Sequence, residues 1–388
     1  MLLFEIIEKM YRKAVKFLLL SVFITSSVFS QSRDEQMLKG IDYVYHIKFD
    51  SANAVFRSMV NKDANDPTGY FLLAMSAWWK IYINKDDMNN DDDYFSKVDK
   101  CIEVCDKKID ENKNDDWAIF LKGGVIGYRG FLNSIRENWL KAVDDGKEGL
   151  SLLQRAYELN PNNKDAVFGI GLYNYAADYV TDKYPFLKAL LFLFPKGNKE
   201  LGLSQLKDCA DNAKFSKTEA NFVLCYVNLN YENNFVESEK YALKIFQMYP
   251  ENPVAMKFLG KSYIGENKWN ESLLLYREIL SRCDSSKAGF TNNYLKRDAS
   301  YYAGLSAQRL NMTDDSFRYY QQSLDLSKQL DKDGESAYQV FSAMGLGMMS
   351  DLKGNHDEAV KYYKMVLDMK DIEASHDSAK KLIETGYR

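Results

Sequence analysis

The chain has 388 residues, 46% of them hydrophobic and 27% charged, with 51 Lys and Arg set against 55 Asp and Glu. It is too apolar for a disordered chain, and its net charge of −4 excludes a protein that holds nucleic acid chiefly by bulk positive charge. Six prolines leave room for long unbroken helices, and 27 Tyr with 22 Phe supply large wedges to pack between them.

In chain order, the first feature is an export signal. Basic Arg12, Lys13 and Lys16 precede an apolar core from Phe17 to Thr25, and Val28 and Ser30 are spaced as the small residues before a cut at Gln31. That core is too short to span a bilayer, which takes about 20 residues. Residues 1–30 are expected to be a signal peptide, with Met10 a possible true start. Residues 31–388 are then one exported domain, periplasmic or cell-envelope associated if the source is bacterial. No cysteine near the cut indicates a lipid anchor. Cleavage removes four basic and two acidic residues, leaving 47 minus 53, or −6, which argues against nucleic acid or an anionic membrane as the main partner.

The spacing of Leu38, Ile41, Tyr45 and Phe49 predicts an amphipathic helix over 32–49, and Ser51 can cap another over 52–60. Asn65-Asp66-Pro67 opens a helix over 68–83 that carries Phe71, Met75, Trp78 and Trp79. The acidic run from Lys85 to Asp93 lacks both the turn glycine and the final acidic ligand of a calcium loop, so it is expected to be a solvated loop and helix start without metal. Gly123, Gly124, Gly127 and Gly130 fall on one side of a helix and predict close helix packing. No alternating strand precedes them, as a phosphate-binding loop would require. Gly149, Leu153, Ala156 and Pro161 follow as a second helix ending in Asn-Pro, and Ile170-Gly171 opens the helix after it. An insertion at 181–198 then interrupts the pattern. Its DKYPFLKALLFLFPKG is the least polar stretch of the expected mature chain, with Phe186, Leu190, Leu191 and Phe192 in need of burial.

The clearest stretch is 250–280, PENPVAMKFLGKSYIGENKWNESLLLYREIL. Leu259-Gly260, Tyr263, Trp269, Ser272 twelve residues after the glycine, Tyr276 and Ile279 resemble a tetratricopeptide repeat (TPR), a pair of antiparallel helices joined by a short turn. A similar repeat returns at Leu224-Cys225 with Ser238, and the step of twelve itself returns at Ala303-Gly304 with Ser316 and at Leu346-Gly347 with Ala359. A polar helix over 373–386 has the character of an end cap. The resemblance implies an all-α, TPR-like solenoid of about eight helical hairpins plus that cap.

The sequence contains no recognisable chemistry-bearing motif. The three histidines, His46, His356 and His376, form no HExxH pair, and there is no GxSxG elbow, Walker loop or CxxC motif. Cys101, Cys105, Cys209, Cys225 and Cys283 are expected to be buried small hydrophobes. No catalytic residue, cofactor or metal is expected.

In proteins of this family the first helix of each hairpin lines a concave groove. Carried onto this sequence, the groove positions include Phe71, Met75, Trp78, Trp79, Phe168, Leu172, Tyr175, Phe222, Tyr226, Lys257, Lys261 and Tyr301. The resemblance thus implies a non-catalytic, exported scaffold that binds a protein or peptide in an aromatic groove, with 184–194 as a lid. The alternative is a lipid- or membrane-surface-associated factor that uses 184–194 outward. The same aromatics would form core if the coil were tight or if the lid covered them.

Overall fold

The computed structural model describes residues 32–183 and 195–388. The expected signal peptide and the insertion residues Phe186, Leu190, Leu191 and Phe192 lie outside them. Among the described residues there are 17 helices and no strand. They are α1 (32–45), α2 (Phe49–Lys62), α3 (Pro67–Ile83), α4 (Asp91–Glu111), α5 (Asp116–Ile135), α6 (Trp139–Leu159), α7 (Lys164–Lys183), α8 (Lys199–Asn212), α9 (Lys217–Asn230), α10 (Phe235–Met248), α11 (Pro253–Gly265), α12 (Trp269–Asp284), α13 (Asn293–Arg309), α14 (Thr313–Leu330), α15 (Ala337–Leu352), α16 (His356–Leu367) and α17 (Ser375–Thr385). The first sixteen pair in sequence into eight hairpins, and α17 packs on α16 as the cap.

Local chemistry sets the helix ends. Asp66 and Asn252 accept hydrogen bonds from Thr68 N and Val254 N, and each is followed by proline in the first turn, where a missing N–H costs nothing. Five of the turns within hairpins share one geometry. Ile47, Glu137, Asn267, Asn311 and Gly354 have φ of 61°, 59°, 58°, 57° and 78°. The next residue's N–H returns to the carbonyl five positions earlier, as in Lys48 to Tyr43 at 2.8 Å and Met312 to Ala307 at 2.9 Å. This left-handed closure satisfies the helix-end carbonyls and fixes how the second helix folds back.

Packing repeats in the same register. A Cβ added to Gly260 would stand 2.8 Å from the Tyr276 ring, and one added to Gly347 would stand 2.4 Å from the Tyr363 ring. Each tyrosine lies flat on the first helix because the glycine leaves room. Buried serines join successive hairpins, Ser238 to Ser262 and Ser272 to Ser306, each at 2.8 Å between hydroxyls. All five cysteines are buried and free.

The array does not stay open. In a plain solenoid each hairpin touches only its neighbours, but here α1 reaches across to the fifth and sixth hairpins. Tyr45 packs on Phe222 of α9 with ring centroids 5.9 Å apart and on Tyr249 at 5.2 Å, and Asn252 donates to the Tyr45 carbonyl at 3.0 Å. Lys214 pairs with Asp34, and Arg33 lies over the Trp117 ring at 4.8 Å. Farther along, Asn292 donates to the Asn84 side chain at 2.6 Å. One hydrophobic cluster therefore runs from Met37 to Leu259, whereas the last three hairpins hold two smaller ones.

Candidate binding surface on the concave side

The groove positions named from the sequence divide into two groups. Met75, Trp78, Trp79, Tyr175 and Phe222 retain 1–5% of their exposure. Trp79 meets Phe222 with centroids 4.8 Å apart and Tyr45 at 5.1 Å, edge-on, while Trp78 packs against Tyr82, Tyr94, Tyr128 and Phe131. An open aromatic groove through these residues is therefore corrected: α1 and the facing helices close on them, and they are core. At Trp79 and Phe222 the groove is filled by Tyr45 of α1, a segment for which the sequence shows no more than an ordinary amphipathic helix, whereas Trp78 and Tyr175 are covered by side chains of other helices. Phe71, Phe168 and Leu172 pack at the margin of this core and stay partly exposed.

At the centre of the closed part sits a carboxylate that no sequence motif marks. Glu219 of α9 is 7% exposed and accepts hydrogen bonds from Trp79 Nε1 at 3.2 Å and from the Tyr128 hydroxyl. The Tyr45 side chain is buried beside it. Helices α3, α5 and α9 thus converge on one side chain. Burial pushes its pKa up, and the hydrogen bonds only partly oppose that. The visible signal was a lone acidic residue on the otherwise apolar face of α9.

The other group lies on the inner side of the later hairpins. Lys257 and Lys261 stand one turn apart on α11. Lys257 is deep in the superhelix yet keeps 27% of its side-chain exposure, so it faces a wet recess rather than dry core. Its Nζ is 3.7 Å from Asp298 Oδ2, a carboxylate whose Oδ1 is already held by Arg297. Arg297 in turn pairs with Asp331 at 2.9 Å and lies over the Tyr338 ring at 4.6 Å. Lys261 has no carboxylate within 4.0 Å among the described residues; its Nζ lies 5.4 Å over the ring of Tyr302. Burial pushes both lysines below their usual pKa, with Asp298 pulling the other way. Partly exposed Tyr226 and Tyr301 belong to the same inner side, Tyr301 meeting Tyr302 and Tyr338 edge-on and Tyr320 at a tilt.

Two other features are self-contained. A cleft of about 960 Å³ between α12 and α14 carries Arg277, Arg318 and Lys296, but these pair with Asp315 and Asp284. Among the described residues no cluster of His, Cys, Asp and Glu could hold a metal ion, and no helix is long and apolar enough to cross a membrane.

No family model matches the sequence, and no curated protein matches it. Solved structures do match the fold. A chain of the APC/C Cut9–Hcn1 hetero-tetramer superposes with a TM-score of 0.51 at 11% identity, over 88% of this chain and 53% of that one. This chain thus spans about half the length of that relative. The human IFIT1 dimer with PPP-AAAA gives 0.45 at 13% identity over 83% and 69%, and the C-terminal part of a TPR repeat-containing protein from Cytophaga hutchinsonii gives 0.40 at 12% over 79% and 98%. The fold is a TPR-like α-solenoid, and the class it defines is that of helical-repeat proteins.

Proposed function

We propose that this protein is a non-catalytic, exported scaffold that holds an acidic segment of a partner protein in the concave face of its later hairpins. Lys261 is the observation that carries this reading. Lys261 is partly exposed, feels Asp298 only at a distance and makes no direct ion pair among the described residues, so a carboxylate delivered by a partner would gain a charge-assisted hydrogen bond there. Lys257 shares Asp298 with Arg297, and with Lys85 and Asp86 nearby the local charges are four basic (Lys85, Lys257, Lys261, Arg297) against three acidic (Asp86, Asp298, Asp331), one positive charge in excess. Tyr226, Tyr301 and Tyr302 provide apolar walls for the segment's side chains. Export is supported by the basic, apolar and small-residue order of residues 12–30.

Fluorescence anisotropy with labelled peptides rich in Asp and Glu, their Asn and Gln counterparts, and a short RNA oligonucleotide tests the proposal. The acidic peptides should bind, should weaken as salt rises, and should lose about tenfold in affinity with Lys261→Ala, the equivalent of about 1.4 kcal/mol. Equal binding of acidic and neutral peptides, or binding of the RNA alone, would overturn it.

A further inference from the structure

We propose that His356 is a proton-operated latch for the C-terminal cap. The ring joins three pieces of the last repeat. His356 opens α16, its Nδ1 lies 2.7 Å from Asp351 Oδ1 at the end of α15, and its Nε2 lies 3.1 Å from the Ile383 carbonyl in the last turn of α17. Both partners are acceptors. A neutral imidazole carries one N–H and satisfies one of them, whereas the imidazolium donates to both.

The surroundings favour the charged ring on every side. Asp351 faces it from α15 and Asp357 from α16; α17 presents the Ile383 carbonyl, and the tail presents the Tyr387 amide, which donates to Asp351 Oδ2 at 2.7 Å. The Ile383 carbonyl belongs to a helix C-terminus, whose partial negative charge attracts a cation. The Asp351 side chain is 3% exposed and also accepts from the Tyr363 hydroxyl at 2.7 Å; burial raises its pKa, but these hydrogen bonds outweigh it and keep it ionised. The His356 side chain is 47% exposed, so its proton exchanges freely with solvent. The Asp351 hydrogen bond, above all, raises the pKa of His356, and the Ile383 carbonyl adds to that.

The direction follows from linkage. A histidine whose pKa is raised by docking stabilises the docked cap fully below its ordinary value of about 6.5, and that stabilisation is lost as pH rises through the docked value. Deprotonation leaves a ring nitrogen facing a carbonyl or carboxylate oxygen lone pair to lone pair. The last turn of α17 and the tail then lift. The tail is not idle surface: the Tyr387 hydroxyl accepts from Gln308 Nε2 at 3.3 Å, and that amide also lies 3.5 Å from Met348 Sδ. Lifting it uncovers the end of the concave face and the cluster of Tyr363, Val366, Leu382 and Ile383.

Amide hydrogen exchange of the full chain between pH 5.5 and 8.5, corrected for the intrinsic effect of pH on exchange, tests the latch together with an NMR titration of the histidine rings. The His356 midpoint should lie above about 6.5, and protection of residues 382–387 should fall roughly tenfold for each pH unit that separates the docked from the undocked midpoint. His356→Gln should have weaker cap protection that no longer changes with pH, while His376→Gln keeps the wild-type profile. A His356 midpoint at or below 6.5, wild-type cap protection independent of pH, or a pH profile that survives His356→Gln would each overturn the proposal.

Discussion

The first five hairpins and the last three are made from the same repeat but use their inner faces in opposite ways. In the earlier part Tyr45, Trp79 and Phe222 meet across the axis and exclude water, with Glu219 as the one buried charge at their centre. In the later part the corresponding face carries Lys257, Lys261, Arg297 and Asp298 among partly exposed tyrosines. Repeat geometry decides only which residues point inward. Whether that face becomes core or stays partly exposed depends on whether another part of the chain reaches it, and the α1 contact at Tyr45 ends at Asn252, where the sixth hairpin begins.

The sharpest way to break this contrast is Trp79→Ala, which leaves a large cavity where α1, α3 and α9 meet. Core aromatic truncations cost about 3–5 kcal/mol, and here the loss should fall on one half. In urea denaturation followed by exchange protection, helices α1 to α10 should lose protection together while α13 to α16 keep theirs. Loss confined to the second hairpin would show that the first half is an ordinary open array.

Glu219→Gln probes the same junction at smaller magnitude. Because burial raises the carboxyl's folded-state pKa, its contribution is fully present below the unfolded value of about 4.3 and declines as pH rises through the folded value. The wild type should therefore lose stability of its first half across that interval, and Glu219→Gln should remove the slope, with a change of about 1 kcal/mol at the low end. An unchanged pH slope in denaturant titrations would remove Glu219 as its source.

Lys261→Met should have the smallest effect and the opposite sign. Replacing a partly exposed ammonium that has no direct ion pair by an apolar chain of similar length is expected to raise stability by up to about 1 kcal/mol without ligand. Lys257→Met should gain less, since it also removes a partner of Asp298. A clear drop in melting temperature for Lys261→Met would mean that the ammonium is already satisfied.

The hairpins themselves were legible because their causes are local. The step of twelve from Gly260 to Ser272, repeated at Gly304 and Gly347, follows from the length of one helix plus a fixed left-handed turn, and the same step seats Tyr276 and Tyr363 on their glycines. Caps such as Asp66-Pro67 and Asn252-Pro253 act within three residues and need no distant partner. The fate of the concave face was not legible. Trp79 and Lys261 occupy equivalent inward-facing tracts, and periodicity gives both the same description. Tyr45 lies 174 residues before Glu219 in sequence (219 − 45), and only the small rotation from each hairpin to the next, summed over five of them, brings these side chains together. That rotation is set by side-chain volumes at every interface at once, so a local window determines each hairpin, while the closure on α1, the burial of Glu219 and the partial exposure of the lysine face were decided by the tertiary structure alone.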